Sequence, residues 1–283
     1  MARRGPRRGG SPMATTTTLE VRNRTFPTGP AIPRDWHGAG RSVTRFFDNL
    51  SVFFPEGERF FMRSLRSFRA QVADDPVMRA LIRGFCAQEG IHGREHERYN
   101  AMLREAGYPI DAMEAQVKGI LAGAERLLPK RWQLAATASL EHFTALMGHL
   151  LLEDPRLLEE ADETMRALWK WHAAEENEHK AVAFDVYEAV GGNYPERAVV
   201  MLVATVIFWA KVVEQQARLM ALDGDLFSPR AHLTLGRFLW VKPGGMAKLW
   251  RLWAAWFRPG FHPDDLDASE ALARWKAEQV EPA

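Results

Sequence analysis

Residues 171–184 read WHAAEENEHKAVAF, a helix-forming run that puts His172, Glu175, Glu176 and His179 where a packed helix carries its apolar side chains. The row Leu168, His172, Glu175, His179, Val182, Val186 advances by steps of three and four, which is one helix face, with Glu176 one position off it. Apolar residues above and below the polar group place that face against other helices rather than in water. A second row behaves in the same way through Met78, Ile82, Phe85, Glu89, His92, His96, Tyr99 and Leu103. A third, Leu134, Ala138, Glu141, Ala145, Gly148, Leu152, carries a single carboxylate. So does a fourth, Glu58, Phe61, Leu65, Phe68, Val72, while Glu56 falls on the opposite side with Arg63 and Ser67.

A buried carboxylate without a partner costs several kcal/mol, and here at least four face one interior. Lys and Arg are almost missing from these rows, so a salt-bridge network does not explain them, whereas two divalent cations would neutralise four carboxylates. Each Glu-x-x-His pair, Glu89 with His92 and Glu176 with His179, sets an oxygen and an imidazole nitrogen one turn apart on one face, within reach of a common metal. Two single glutamates and two such pairs, one group per helix, make the carboxylate-bridged dinuclear site of a four-helix bundle.

The stretches FFPEGERFFMRSLRSF, DDPVMRALIRGFCAQEGIHGREHERYN, ASLEHFTALM and WKWHAAEENEHKAVAFDVY together resemble the ferritin-like superfamily of di-iron carboxylate proteins, and within it the bacterial family catalogued as predicted metal-dependent hydrolases. The resemblance covers roughly residues 45–225. It implies that Glu58 and Glu141 are the single carboxylate ligands and that Glu89 and Glu176 are the partners of His92 and His179. It also implies two metal ions, iron first, with manganese or zinc as alternatives. His96 and His172 exceed a plain ferritin-type set, as in di-iron N-oxygenases with an added histidine, and are either further ligands or residues holding a ligand by hydrogen bond. Glu175 competes with Glu176, which is preferred because it keeps the i, i+3 spacing to His179.

Composition agrees with a packed helical protein. The chain has 283 residues, 47% of them hydrophobic, with 37 basic against 36 acidic and a single cysteine, Cys86. The charge balance gives no footprint for nucleic acid, and one cysteine excludes an internal disulfide. The fold expected is all-α: a ferritin-like four-helix bundle over 46–225, preceded by a basic leader over 1–45 with nothing to pack, and followed by an aromatic and basic helical extension over 226–283. Helices are expected at about 56–73, 74–107, 111–128, 129–153, 155–191, 195–222 and 267–278. The apolar run Ala198 to Ala210 is too short to span a bilayer and is expected to be a buried core helix. Glu95, Glu97 and Glu178 are expected to be solvated, Tyr99 to be a core residue, and His142 and His149 to lie away from the site.

Ser228 to Pro263 contains no acidic residue but six basic ones and four of the ten tryptophans. Trp250, Trp253, Trp256 and Phe257 share one helical side and Lys248, Arg251 and Arg258 another. That pattern suits either a helix lying on an anionic membrane or one packed on the apolar run with its basic side in water. The expected enzyme is metal-dependent. An oxidative mechanism would use a ferrous pair and O2 on a small apolar substrate, and a hydrolytic one would use the metals to acidify a water; metal storage or oxygen sensing is the non-catalytic alternative. Location is expected in the cytoplasm or peripherally at the inner membrane face, with a homodimer and an electron-donor protein as further candidate partners.

Overall fold

The computed structural model describes residues 18–280; the arginines of the expected leader that precede residue 18 lie outside the described residues. Among those described, the chain is all-α, with no strand and one isolated antiparallel bridge, His37 to Ala161. The helices are α1 (Arg41–Arg66), α2 (Pro76–Glu105), α3 (Ile110–Leu127), α4 (Lys130–Glu153), α5 (Glu163–His179), α6 (Val182–Ala189), α7 (Tyr194–Leu222), α8 (Pro229–Trp240), α9 (Gly245–Ala254) and α10 (Ser269–Val280). Helices α1, α2, α4 and α5 supply the four polar-centred rows. In the packed structure α1 lies on α2 and α4 on α5, with α3 and α7 against their outer sides.

Local signals account for several helix starts. Asp75 caps α2 by accepting the Met78 N–H at 2.9 Å, with Pro76 in the first turn, and Asn193 does the same for α7 through Glu196 N. Gly148 permits the close approach of α4 and α5, since a Cβ there would stand 2.9 Å from the Ala173 carbonyl oxygen.

Three expectations are corrected. Helix one begins fifteen residues before the expected Glu56 and ends at Arg66 rather than Ala73. Pro55, which looks like a helix start, lies inside it. Proline has no N–H to donate one turn back, and the Ser51 carbonyl so released accepts instead from Asn100 Nδ2 on α2 at 3.3 Å. The fourth helix starts at Glu163 instead of Pro155, because Asp162 caps it through Thr164 N and Met165 N, and it is broken at Lys180 and Ala181. Residues 18–40, placed by the sequence in a leader with nothing to pack, bury Phe26, Ile32 and Trp36. Their anchors are polar and long-range: Asp162 N donates to Trp36 O at 2.8 Å, Phe26 N to Glu95 Oε2 at 2.9 Å, and Gln88 Nε2 to Glu20 O at 3.0 Å.

The apolar run also behaves differently. Helix α7 is 29 residues long, and by length and composition it could cross a membrane; only 28% of its most apolar stretch is buried, unlike a core helix. Val200, Met201, Val212, Leu219 and Met220 face the bundle, while Val199, Leu202, Val203, Val206, Ile207 and Val213 face outward. Helix α9 packs on it: Trp250 stands 5.9 Å from Trp209 and Trp253 Nε1 donates to Thr205 Oγ1 at 3.1 Å. Of the two arrangements expected for these tryptophans, Trp250 and Trp253 thus take the one turned onto α7.

Candidate metal centre

Glu58 from α1, Glu89 and His92 from α2, Glu141 from α4, and His172, Glu176 and His179 from α5 converge in the bundle interior, all almost completely buried. Three overlapping sets bring ligand atoms within 4.8 Å of one another: Glu58 with His92 and His172, Glu89 with His92 and Glu176, and Glu89 with Glu141 and His179. Glu89 and His92 each belong to two sets, so the three sets form one continuous cluster. Glu58 is admitted by Gly93, where a Cβ would stand 2.9 Å from the Glu58 Oε2. Both oxygens of Glu58, Glu89 and Glu141 lack a hydrogen-bond donor, a costly state for buried carboxylates.

The surrounding hydrogen bonds decide which imidazole nitrogens face the cluster. The Gln88 amide donates to the Glu20 carbonyl, so its Oε1 accepts from His179 Nδ1 at 3.0 Å. That leaves His179 Nε2 aimed at Glu89 (3.1 Å), Glu141 (3.3 Å) and Glu176 (3.6 Å). His92 Nε2 donates to Glu175 Oε2 at 3.0 Å, and the same carboxylate is held by Arg22 at 3.2 Å. His92 Nδ1 therefore faces Glu176 at 3.6 Å and Glu89 at 4.0 Å.

The third imidazole is fixed by a longer chain. Asn100 Nδ2 donates to Ser51 O and to Glu114, so its Oδ1 accepts from Ser51 Oγ at 2.8 Å. His96 Nδ1 must then donate to Ser51 Oγ (2.9 Å), and His96 Nε2 must accept from His172 Nδ1 (2.7 Å). His172 Nε2 is left facing Glu176 Oε1 at 2.9 Å and Glu58 at 3.9 Å. All three cluster histidines thus present a lone pair to carboxylate oxygens. A centre made only of acceptors needs cations, whether protons or metal ions, and this oxygen and nitrogen set suits a divalent metal.

Protons take those places in the metal-free chain. Burial first, then the neighbouring carboxylates, raise Glu58 and Glu141 well above the usual glutamate range, and Glu89 is raised as well. Burial works against a charge on His92, yet Glu175, Glu176 and Glu89 push it up to about 9, and His179 is raised well above its ordinary value by Glu176, Glu141 and Glu89. Glu176 goes the other way: burial opposes its charge, but His179, His172 and His92 hold its carboxyl well below the usual range. Burial and the nearby His92 lower His172 to about 4, and His96 is lowered well below 6.5.

Of the sequence-predicted residues, Glu58, Glu89, His92, Glu141, Glu176 and His179 are brought together. His172 joins them, His96 stands behind His172, and Glu175 stands behind His92, outside the cluster. His142 is away from it, buried between Trp256 and Phe261, and Tyr99 donates from the core to Asp48 Oδ1 at 2.5 Å. Two expected solvated residues are not: Glu95 is buried and accepts from Phe26 N and Arg94, and Glu178 is paired with Arg22 and Lys276. Gln88, Ser51 and Arg22 were not singled out. Gln88 sits beside Glu89, so helix geometry could have raised it; Ser51 lies before the expected start of helix one, and nothing local marks it or Arg22.

An apolar cavity of about 60 Å³ opens on His172 and Glu176. Phe46, Phe54, Met147, Trp169, Phe238 and Met246 form much of its wall. Apart from Thr144 and the Trp169 indole, the cluster residues are its only polar side chains.

The family described as "Predicted metal-dependent hydrolase" matches residues 20–267. No curated protein and no solved structure matches the chain.

Proposed function

The chain belongs to the predicted metal-dependent hydrolase family, and from that premise we propose a metal-dependent enzyme with a dinuclear centre in a ferritin-like bundle. Iron is the first candidate, and the centre acts oxidatively on a small apolar molecule. Glu58, Glu89, His92, Glu141, Glu176 and His179 are the proposed ligands, with His172 as an added one. Bound iron would supply O2 activation. The chain's own residues orient and exclude: Gln88 fixes His179, Glu175 with Arg22 fixes His92, and the Ser51–His96 pair fixes His172 with its Nδ1 proton pointing away from the cluster.

The apolar cavity beside His172 and Glu176 carries this reading. An ester or phosphate would need donors near its leaving oxygen, which Phe, Leu and Met walls do not offer, whereas oxidation of a hydrocarbon needs none. Hydrolysis is the second reading, favoured by the family description and by the ability of paired metals to acidify water. Adding O2 to the anaerobic ferrous protein separates the two. A transient visible absorption is expected for oxidation; tightly held zinc with no response to O2 would overturn it in favour of hydrolysis.

A further inference from the structure

Helix α7 turns a continuous apolar face outward: Val199, Leu202, Val203, Val206, Ile207 and Val213, with Val206 69% and Val213 66% exposed. No charged residue occurs from Ala198 to Ala210, about 20 Å of helix at 1.5 Å per residue. The face continues into an apolar groove between α7 and α3, lined by Ile120, Leu121, Ala124, Leu128, Val203 and Ile207. On the other side α9 lies against α7 through Trp250 and Trp253. Because Val200, Met201 and Val212 on the inner side of α7 are buried in the bundle, α7 cannot cross a bilayer without unpacking the fold. It can lie in the plane of one.

Charge says what covers the face. Every carboxylate on α3 and α7 is in an ion pair or, for Glu114, also bound to Asn100: Asp111 and Glu114 with Arg104, Glu125 with Arg63, Glu196 with Arg131, and Glu214 with Lys211. Helix α9 has none. Lys118 and Arg126 on α3, Arg218 on α7 and Arg251 on α9 have no carboxylate partner among the described residues, and the first two and Arg251 are exposed. A second copy packed on this face would bring these cations together with no free carboxylate to meet them. An anionic lipid surface complements both the apolar strip and its basic rim.

We propose that the outward face of α7, flanked by α3 and α9, docks in the plane of an anionic bilayer. The proposal does not depend on the reaction at the metal cluster. Its test is sedimentation of the full, metal-loaded protein with phosphatidylcholine vesicles, with and without phosphatidylglycerol. Binding is expected only with the anionic lipid and is expected to fall as salt is raised. Val203→Asp with Val206→Asp, which charges the apolar strip, and separately Lys118→Glu with Arg251→Glu, which reverses two of its cations, should each weaken binding roughly tenfold or more. All four positions are exposed, and an unchanged melting curve confirms folding. No binding to anionic vesicles, equal binding by the variants, or a dimer in light scattering that Val203→Asp with Val206→Asp dissolves would overturn the proposal.

Discussion

Replacing Glu58 by glutamine should stabilise the metal-free protein while weakening its hold on metal. Neither Glu58 oxygen has a hydrogen-bond donor, and the nearest imidazole nitrogen, His172 Nε2, is 3.9 Å away. Burial and the carboxylates of Glu89, Glu176 and Glu141 together raise its pKa, so the group folds either protonated or at an uncompensated electrostatic cost. An amide of the same shape removes the charge but still buries an unpaired polar group. The net gain is therefore the cost of protonating the carboxyl or burying its charge, on the order of 1–3 kcal/mol at neutral pH since one pKa unit is about 1.4 kcal/mol. For a domain of this size that is a rise in Tm of about 2–10 °C. The assay is thermal unfolding after chelation, repeated with saturating ferrous iron, where the order should reverse because the variant has lost a charged ligand. A variant less stable than the parent in the chelated state would show Glu58 to be a structural residue rather than one awaiting a cation.

The pH dependence of the metal-free protein follows from the same protons. His92, held up to about 9 against 6.5, contributes stability that is full below pH 6.5 and lost as pH rises towards 9, on the order of 3 kcal/mol at most; His179 and the raised carboxylates act in the same direction. Tm of the chelated protein should fall between pH 7 and 9, and a flat or rising profile would count against these placements. Because metal displaces protons, loading should release them, which an indicator dye in weak buffer detects. Gln88→Leu and Glu175→Gln should each weaken metal binding roughly 10- to 100-fold without lowering stoichiometry at saturation, measured by competition with a chelator. Gly148→Ala should cost about 1–3 kcal/mol in chemical denaturation, since its Cβ would meet the Ala173 carbonyl.

Much of the cluster was legible because a polar residue in an apolar helical row is a strong departure from periodicity, and four rows departed together. Spacing also ranked Glu176 above Glu175, and in the structure Glu176 enters the cluster while Glu175 holds His92 from outside. What stayed hidden depends on contacts distant in sequence. Arg22 meets Glu175 across 153 positions, from a segment whose composition resembles a tail. The true start of helix one stayed hidden because the amide that satisfies the carbonyl freed by Pro55, that of Asn100, lies on another helix. Helix α7 was misjudged for a related reason: apolar content shows that a helix avoids water but not whether protein or something else covers each face.

Two metal ions are proposed to sit between Glu58, Glu89, His92, Glu141, Glu176 and His179. Elemental analysis of protein reconstituted anaerobically with ferrous iron tests this most directly, together with Glu89→Ala, which removes the carboxylate common to two of the ligand sets. Two equivalents per chain in the parent, and loss of stoichiometric metal in the variant, are the predicted result. Unchanged metal content in Glu89→Ala, or a folded parent that takes up none, would contradict it.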